Sequence, residues 1–195
     1  MRHFHTVLAV ALLVVAATVV GSARADIKIQ KDPTFEFSGL KTFGWRTPPG
    51  EVKIFVSSDS NARAATTQRQ YEPVLMQTVD AELVKRGYAP ASGAAPDFEL
   101  TYYVLIWVGS SSQYAGQFLP TNAQWGIPMF PAATTSFEVY PQGSIVLDVA
   151  SPSGGPMVWR GIAEAKVETA ISETERAKRV QGFMRQLVSK IPKRK

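Results

Sequence analysis

The chain has 195 residues, no cysteine and only two histidines, with 21 basic residues against 16 acidic ones. Without cysteine there can be no disulfide, no thiol redox centre and no acyl-bearing cysteine of the envelope-lipoprotein kind, so the fold must rest on its core. A hydrophobic share of 45% is that of an ordinary globular domain.

The first residues carry a targeting pattern. Arg2, His3 and His5 open a short polar start, Thr6 to Gly21 is an unbroken apolar run, and Ala23-Arg24-Ala25 supplies small residues at the two positions a signal peptidase reads. Cleavage is expected after Ala25. The rival reading, a retained anchor, is weaker because the run is shorter than the roughly 20 residues of a comfortable span. A single domain of residues 26–195 is then expected, periplasmic or secreted, with no lipid anchor. Loss of Arg2 and Arg24 leaves 19 basic and 16 acidic residues, a net of +3 where the full chain has +5. Lys193, Arg194 and Lys195 hold much of that surplus. A solvated tail is the simple account, and weak contact with an anionic membrane surface is the functional one. Export makes a nucleic-acid partner unexpected.

Ile27 and Ile29 alternate with polar residues as a short strand, which breaks at Asp32-Pro33. Phe35, Phe37, Phe43 and Trp45 are expected in the core, and Pro48-Pro49-Gly50 is expected to end their segment, with Val52 to Val56 as a brief edge strand. Ser57 to Gln70 shows no clear period and reads as loop or a loosely formed helical start. A helix is expected from about Glu72 to Arg86, with Pro73 in its first turn and Leu75, Val79 and Leu83 on one face. Asp97 to Val108 is the longest strand pattern. Residues 109–141 carry Tyr114, Phe118, Trp125 and Phe130 among prolines and glycines without a period. Such a segment is either an arm folded over the sheet or a surface for a protein or glycan partner.

Gly143 to Val167 reads as a β-hairpin reversed at Ser151 to Pro156. Ile145, Leu147 and Val149 share one face. On the return strand Trp159, Gly161, Ala163 and Ala165 share a face, while Val158, Arg160, Ile162, Glu164 and Lys166 form the other, expected to be largely wet. The last helix opens with a capping box, Ser172 and Glu175, and its apolar stripe runs from Ala177 to Ile191 before Pro192. Together these elements predict an α+β fold, a twisted and mainly antiparallel sheet of four to six strands with two amphipathic helices on one face.

Both histidines fall before the cleavage site, so residues 26–195 contain neither histidine nor cysteine. That composition excludes Ser-His-Asp and Cys-His catalysis, zinc sites of the usual ligand types and histidine-ligated haem. The six aspartates are scattered and offer no calcium loop. No catalytic residue, metal or cofactor is therefore expected. A carboxylate-dependent hydrolase of envelope glycan survives as an alternative, with Glu99 or Asp97 as its acid and Asp148 as a hairpin surface residue. A lipid or lipopolysaccharide handler is the second alternative, and it requires an apolar cavity open to solvent near residues 109–141.

The order of these pieces resembles a bacterial envelope family, domain of unknown function 4136. The resemblance is carried by Phe35-Glu36-Phe37-Ser38-Gly39-Leu40-Lys41-Thr42-Phe43-Gly44-Trp45, by Leu83-Val84-Lys85-Arg86-Gly87-Tyr88, and by Pro96-Asp97-Phe98. Gly143-Ser144-Ile145-Val146-Leu147-Asp148, Val158-Trp159-Arg160-Gly161 and the last helix complete it. The resemblance implies an exported domain with no assigned activity. Members often look like lipoproteins, and the missing cysteine is this chain's departure. A non-enzymatic accessory or binding module is the leading expectation, with Tyr114, Phe118, Trp125, Phe130 and Arg160 as its candidate partner or ligand surface.

Overall fold

The computed structural model describes residues 25–54, 60–107, 142–168 and 170–194. Its elements are β1 (Asp26–Lys31), β2 (Thr42–Ile54), α1 (Ser60–Lys85), β3 (Ala89–Pro90), β4 (Phe98–Trp107), β5 (Gln142–Ala150), β6 (Met157–Lys166) and α2 (Glu173–Val188). Among the described residues the strands form one sheet in the order β1-β6-β5-β4-β2-β3. The pairings β1 with β6, β6 with β5 and β5 with β4 are antiparallel, while β4 with β2 and β2 with β3 are parallel. The parallel half follows from α1, because a helix between two strands carries the chain back to start the next one at the same end. The result is a mixed α+β sheet.

Strand β2 is longer than the sequence suggests. Pro48-Pro49-Gly50 does not end it, since pairing with β4 resumes at Gly50 opposite Tyr102 after a register shift from Trp45 opposite Leu100. Proline lacks the amide that a ladder needs, so the two prolines sit in the irregularity and not in the paired stretches. Gly50 makes the return possible. A Cβ there would lie 2.3 Å from the Tyr102 carbonyl oxygen, a distance that no side chain tolerates.

Helix α1 also begins earlier than expected, at Ser60, and places Pro73 in its interior. Its first half is rich in alanine, which favours helix without marking a face. The buried apolar positions are Ala64, Tyr71, Leu75, Val79 and Leu83, a single stripe that the wet residues between Ala64 and Tyr71 conceal in the sequence. Helix α2 matches its expectation closely. The Ser172 hydroxyl accepts from the Glu175 amide while the Glu175 carboxylate accepts from the Ser172 amide, and Phe183, Met184, Leu187 and Val188 are buried.

One hydrophobic cluster joins both helices to alternate residues of the strands, including Phe43, Leu100, Tyr102, Leu147, Val149 and Trp159. At one end Tyr88 meets Phe98 edge-on with ring centres 5.2 Å apart, and Phe43 lies 6.2 Å from the same ring. Trp45 Nε1 donates to Asp80 of α1 at 2.9 Å, and burial pushes the Asp80 carboxyl above its ordinary range against that hydrogen bond. Beyond α2 the chain returns to α1: the Arg194 amide donates to the Arg86 carbonyl at 3.0 Å, and the Tyr88 hydroxyl donates to the Pro192 carbonyl at 2.9 Å.

Asp97, at the start of β4, closes the parallel pair. Its carboxylate accepts from the amides of Lys41 at 2.7 Å and Thr42 at 2.8 Å and from the Thr42 hydroxyl at 3.1 Å. The two amides, above all, hold its pKa below the usual aspartate range. The clamp's contribution is therefore complete above the unfolded aspartate value and is lost as pH falls through the lowered one. Asp97→Asn is expected to lower the urea midpoint at pH 7 and to lose less further stability below about pH 4. Identical midpoints for the two proteins at pH 7 would rule the clamp out.

Candidate functional site: an apolar cavity between sheet and helices

The helix-facing residues of β6 shrink along the strand from Trp159 to Gly161, Ala163 and Ala165. At Gly161 the space is filled: an added Cβ would lie 2.5 Å from the Trp159 ring and 3.1 Å from Leu187 of α2. Farther along, two alanines on β6 face the first turns of α2 and leave a gap. There the structure holds an apolar cavity of about 120 Å³, walled by Val104 and Ile106 of β4, Ile145 of β5, Ala163 and Ala165 of β6, Leu75 of α1 and Phe183 of α2. An apolar cavity of roughly 150 Å³ takes up a benzene-sized ligand and excludes water, so this one has room for one ring or the end of one chain. It is partly open.

Its polar residues come from both helices, from Tyr102, Ser144 and Lys166 of the strands, and from Glu168 just after β6. Tyr102 reaches from the sheet to donate to Glu72 of α1, which also accepts from Gln68 Nε2 at 3.1 Å. Tyr71 donates to Glu173 of α2, as does Gln70 Nε2 at 2.6 Å. Burial first, and then the facing carboxylate, pushes both phenols above their ordinary range, so both remain neutral donors near neutral pH. The Tyr71 hydrogen bond, with Arg176 and Gln70 behind it, holds Glu173 below its usual range. These bonds tie α1 to the sheet and to α2 beside the cavity.

Two arginines of α2 complete the lining. Arg176 donates to Glu173 at 2.8 Å and more weakly to the Ile171 carbonyl at 3.4 Å, and its buried Nε finds no acceptor among the described residues. Among the described residues Arg179 meets the Lys166 carbonyl at 3.4 Å and Glu168 at 3.9 Å.

None of the candidate site residues singled out in the sequence that the structure describes lines the cavity. Tyr114, Phe118, Trp125 and Phe130 are outside the described residues, as is Lys195. Lys193 is exposed, and Arg194 is docked on the end of α1, where its guanidinium donates to the Gly87 carbonyl at 3.3 Å. Glu99 accepts from Arg46 Nε at 2.9 Å and from the amides of Ser153 at 3.1 Å and Gly154 at 3.4 Å, so it clamps the hairpin turn. Both turn residues have positive φ, which aims their amides outward.

Arg160 and Asp148 correct the expectation of a wet second face. They stand directly opposite each other on β6 and β5 and pair side-on through one guanidinium edge, with Nε donating to Oδ1 at 2.6 Å and Nη2 to Oδ2. Arg160 has no exposed surface, Asp148 only 5%, and Val158 and Ile162 are buried beside them. Asp148 is thus no surface residue. A charged side chain is buried when a bidentate partner neutralises it, and a pattern of charges along one strand cannot reveal a partner on the next. Burial pushes the Asp148 carboxyl upward, and the Arg160 guanidinium opposes that push.

The cavity was not legible as a site, although one trace of it is: the run Gly161-x-Ala163-x-Ala165 leaves a strand face without bulk opposite Ile145. Sequence periodicity marks such a face as core and says nothing of whether the facing helix fills it.

A family model described as "Domain of unknown function (DUF4136)" matches residues 27–193, and the chain belongs to that family. No curated protein matches the chain in sequence. Among solved structures it is similar to the PelC dodecamer from Paraburkholderia phytofirmans at 10% identity, over 88% of this chain and all of the other, with a TM-score of 0.40. A PDZ domain protein from Parabacteroides distasonis is similar at 16% identity over 87% of this chain and 36% of the other, with a TM-score of 0.50. At these identities the likeness is one of fold.

Removing one member of the buried pair strands the other. Arg160→Met is expected to cost about 3–5 kcal/mol in urea unfolding, and Asp148→Leu with Arg160→Met to regain most of it. A double variant as unstable as the single one would show that the pair is not the source of the loss.

Proposed function

We propose that this DUF4136 domain is a non-enzymatic binding module of the cell envelope whose cavity takes up an apolar group. The cavity between sheet and helices carries this reading: an apolar wall, room for one ring or chain end, and a partly open mouth. Two of its wall strands, β4 at Ile106 and β5 at Gly143, stand on either side in sequence of residues 109–141, near which a lipid-handling role requires such a cavity. A pocket this apolar, with a few polar groups beside it, is the ordinary form of a small-ligand site. Burying one ring or chain end in it contributes on the order of 2 kcal/mol, enough for weak, reversible capture and too little for tight storage.

The two candidate acids of the hydrolase alternative, Asp97 and Glu99, and the neighbouring Asp148 support the same reading. Asp97 is held by backbone amides, Glu99 by Arg46 and the hairpin turn, and Asp148 by Arg160. Each has a structural task, and none of them lines the cavity.

The neutral fluorophore N-phenyl-1-naphthylamine is expected to brighten on binding the protein. Ala165→Phe, which fills the cavity, should weaken that binding about tenfold or more while the urea midpoint holds. Ala165→Leu should give an intermediate loss. Unchanged brightening in both folded variants overturns the reading. The envelope location rests on the leader pattern of residues 1–25. N-terminal sequencing of the protein from fractionated cells is expected to begin at Asp26, and an uncut cytoplasmic protein would remove the location.

A further inference from the structure

We infer that the ligand is a single-chain amphiphile with a carboxylate head, its apolar end in the cavity and its head on Arg179 and Arg176. The inference rests on the cavity reading above and adds the chemistry of the head. It follows from the balance of donors and acceptors around the cavity. Of the two carboxylates in the lining, Glu72 accepts from both the Tyr102 hydroxyl and Gln68 Nε2, and Glu168 stands 3.9 Å from Arg179. The basic side keeps donors to spare. Arg176 has a buried Nε without an acceptor among the described residues, and the Arg179 guanidinium, 22% exposed, meets its two acceptors only at 3.4 and 3.9 Å.

A partly buried guanidinium without close acceptors is costly, and its planar fork matches the two oxygens of a carboxylate. A surplus of donors selects a head group that only accepts. An amine or quaternary ammonium head would bring more positive charge to two arginines, and a hydroxyl would satisfy one donor without the charge. Size argues for one chain. A cavity of about 120 Å³ admits one chain end and not the paired tails of a phospholipid. The same α2 that walls the cavity with Val180 and Phe183 carries Arg176 and Arg179 one turn earlier. Apolar wall and cationic edge are therefore held in register by one helix.

Displacement of N-phenyl-1-naphthylamine from the full chain by decanoate, 1-decanol and decyltrimethylammonium, at neutral pH and low salt, tests this. Decanoate is expected to bind about tenfold more tightly than decanol, the scale of one charge-assisted hydrogen bond, and decyltrimethylammonium more weakly than either. Arg179→Gln should bring decanoate down to the affinity of decanol and leave decanol unchanged, and Arg179→Lys should restore some of the preference. Decyl phosphate binding more tightly than decanoate, with the same dependence on Arg179, would overturn the carboxylate in favour of a phosphate head. If decanol competes as well as decanoate in the native protein, the head-group inference falls while the cavity reading stands. If the fluorophore binds and no decyl compound displaces it, the chain assignment falls. If neither the fluorophore nor any decyl compound binds, both readings fall together.

Discussion

Arg160 is wholly buried opposite Asp148, and the hairpin's register depends on that pair. A slip of one residue between β5 and β6 would turn every side chain to the other face and would separate a positive from a negative charge inside the protein. With the pair closed, Ile145, Leu147 and Val149 must face the helices from β5, and Trp159, Gly161, Ala163 and Ala165 must do so from β6. The opposite face then carries a cross-strand row of Thr101, Asp148, Arg160 and Gln30, and beside it an apolar row of Tyr103, Val146 and Ile162.

The cavity is a consequence of the same register. Trp159 and Leu187 fill the ground above Gly161. Toward Ala165 the strand has no bulk left to offer, while α2 has only begun its apolar stripe and presents arginines beside Val180. The void therefore lies where a polar helix start meets a strand of small residues, and it acquires an apolar wall and a cationic edge together. Hydrogen bonds from Tyr102 to Glu72 and from Tyr71 to Glu173 tie the surrounding elements together beside it.

This arrangement gives the chain a division of labour without histidine or cysteine. Its carboxylates brace the backbone: Asp97 joins β2 to β4, and Glu99 with Arg46 secures the turn between β5 and β6. Its large aromatics make the core, with Phe98 against both Phe43 and Tyr88. Among the described residues, Arg176 of α2 keeps spare hydrogen-bonding capacity at the cavity, as Ser144 does on β5.

By itself the sequence determined whatever depends on neighbours a few residues apart. The period of two marked β4, β5 and β6, the Ser172 and Glu175 capping box marked the start of α2, and Leu75, Val79 and Leu83 marked the buried stripe of α1. Only the tertiary structure decided what depends on partners far along the chain. It made β2 and β4 parallel, carried β2 past Pro48-Pro49 because Gly50 fits under the Tyr102 backbone, and extended α1 back to Ser60. It buried Arg160 and Asp148 because each neutralises the other across the hairpin. It also left the cavity beside Ala163 and Ala165, since whether a small residue is covered or leaves a void is settled by the helix above it and not by the strand that carries it.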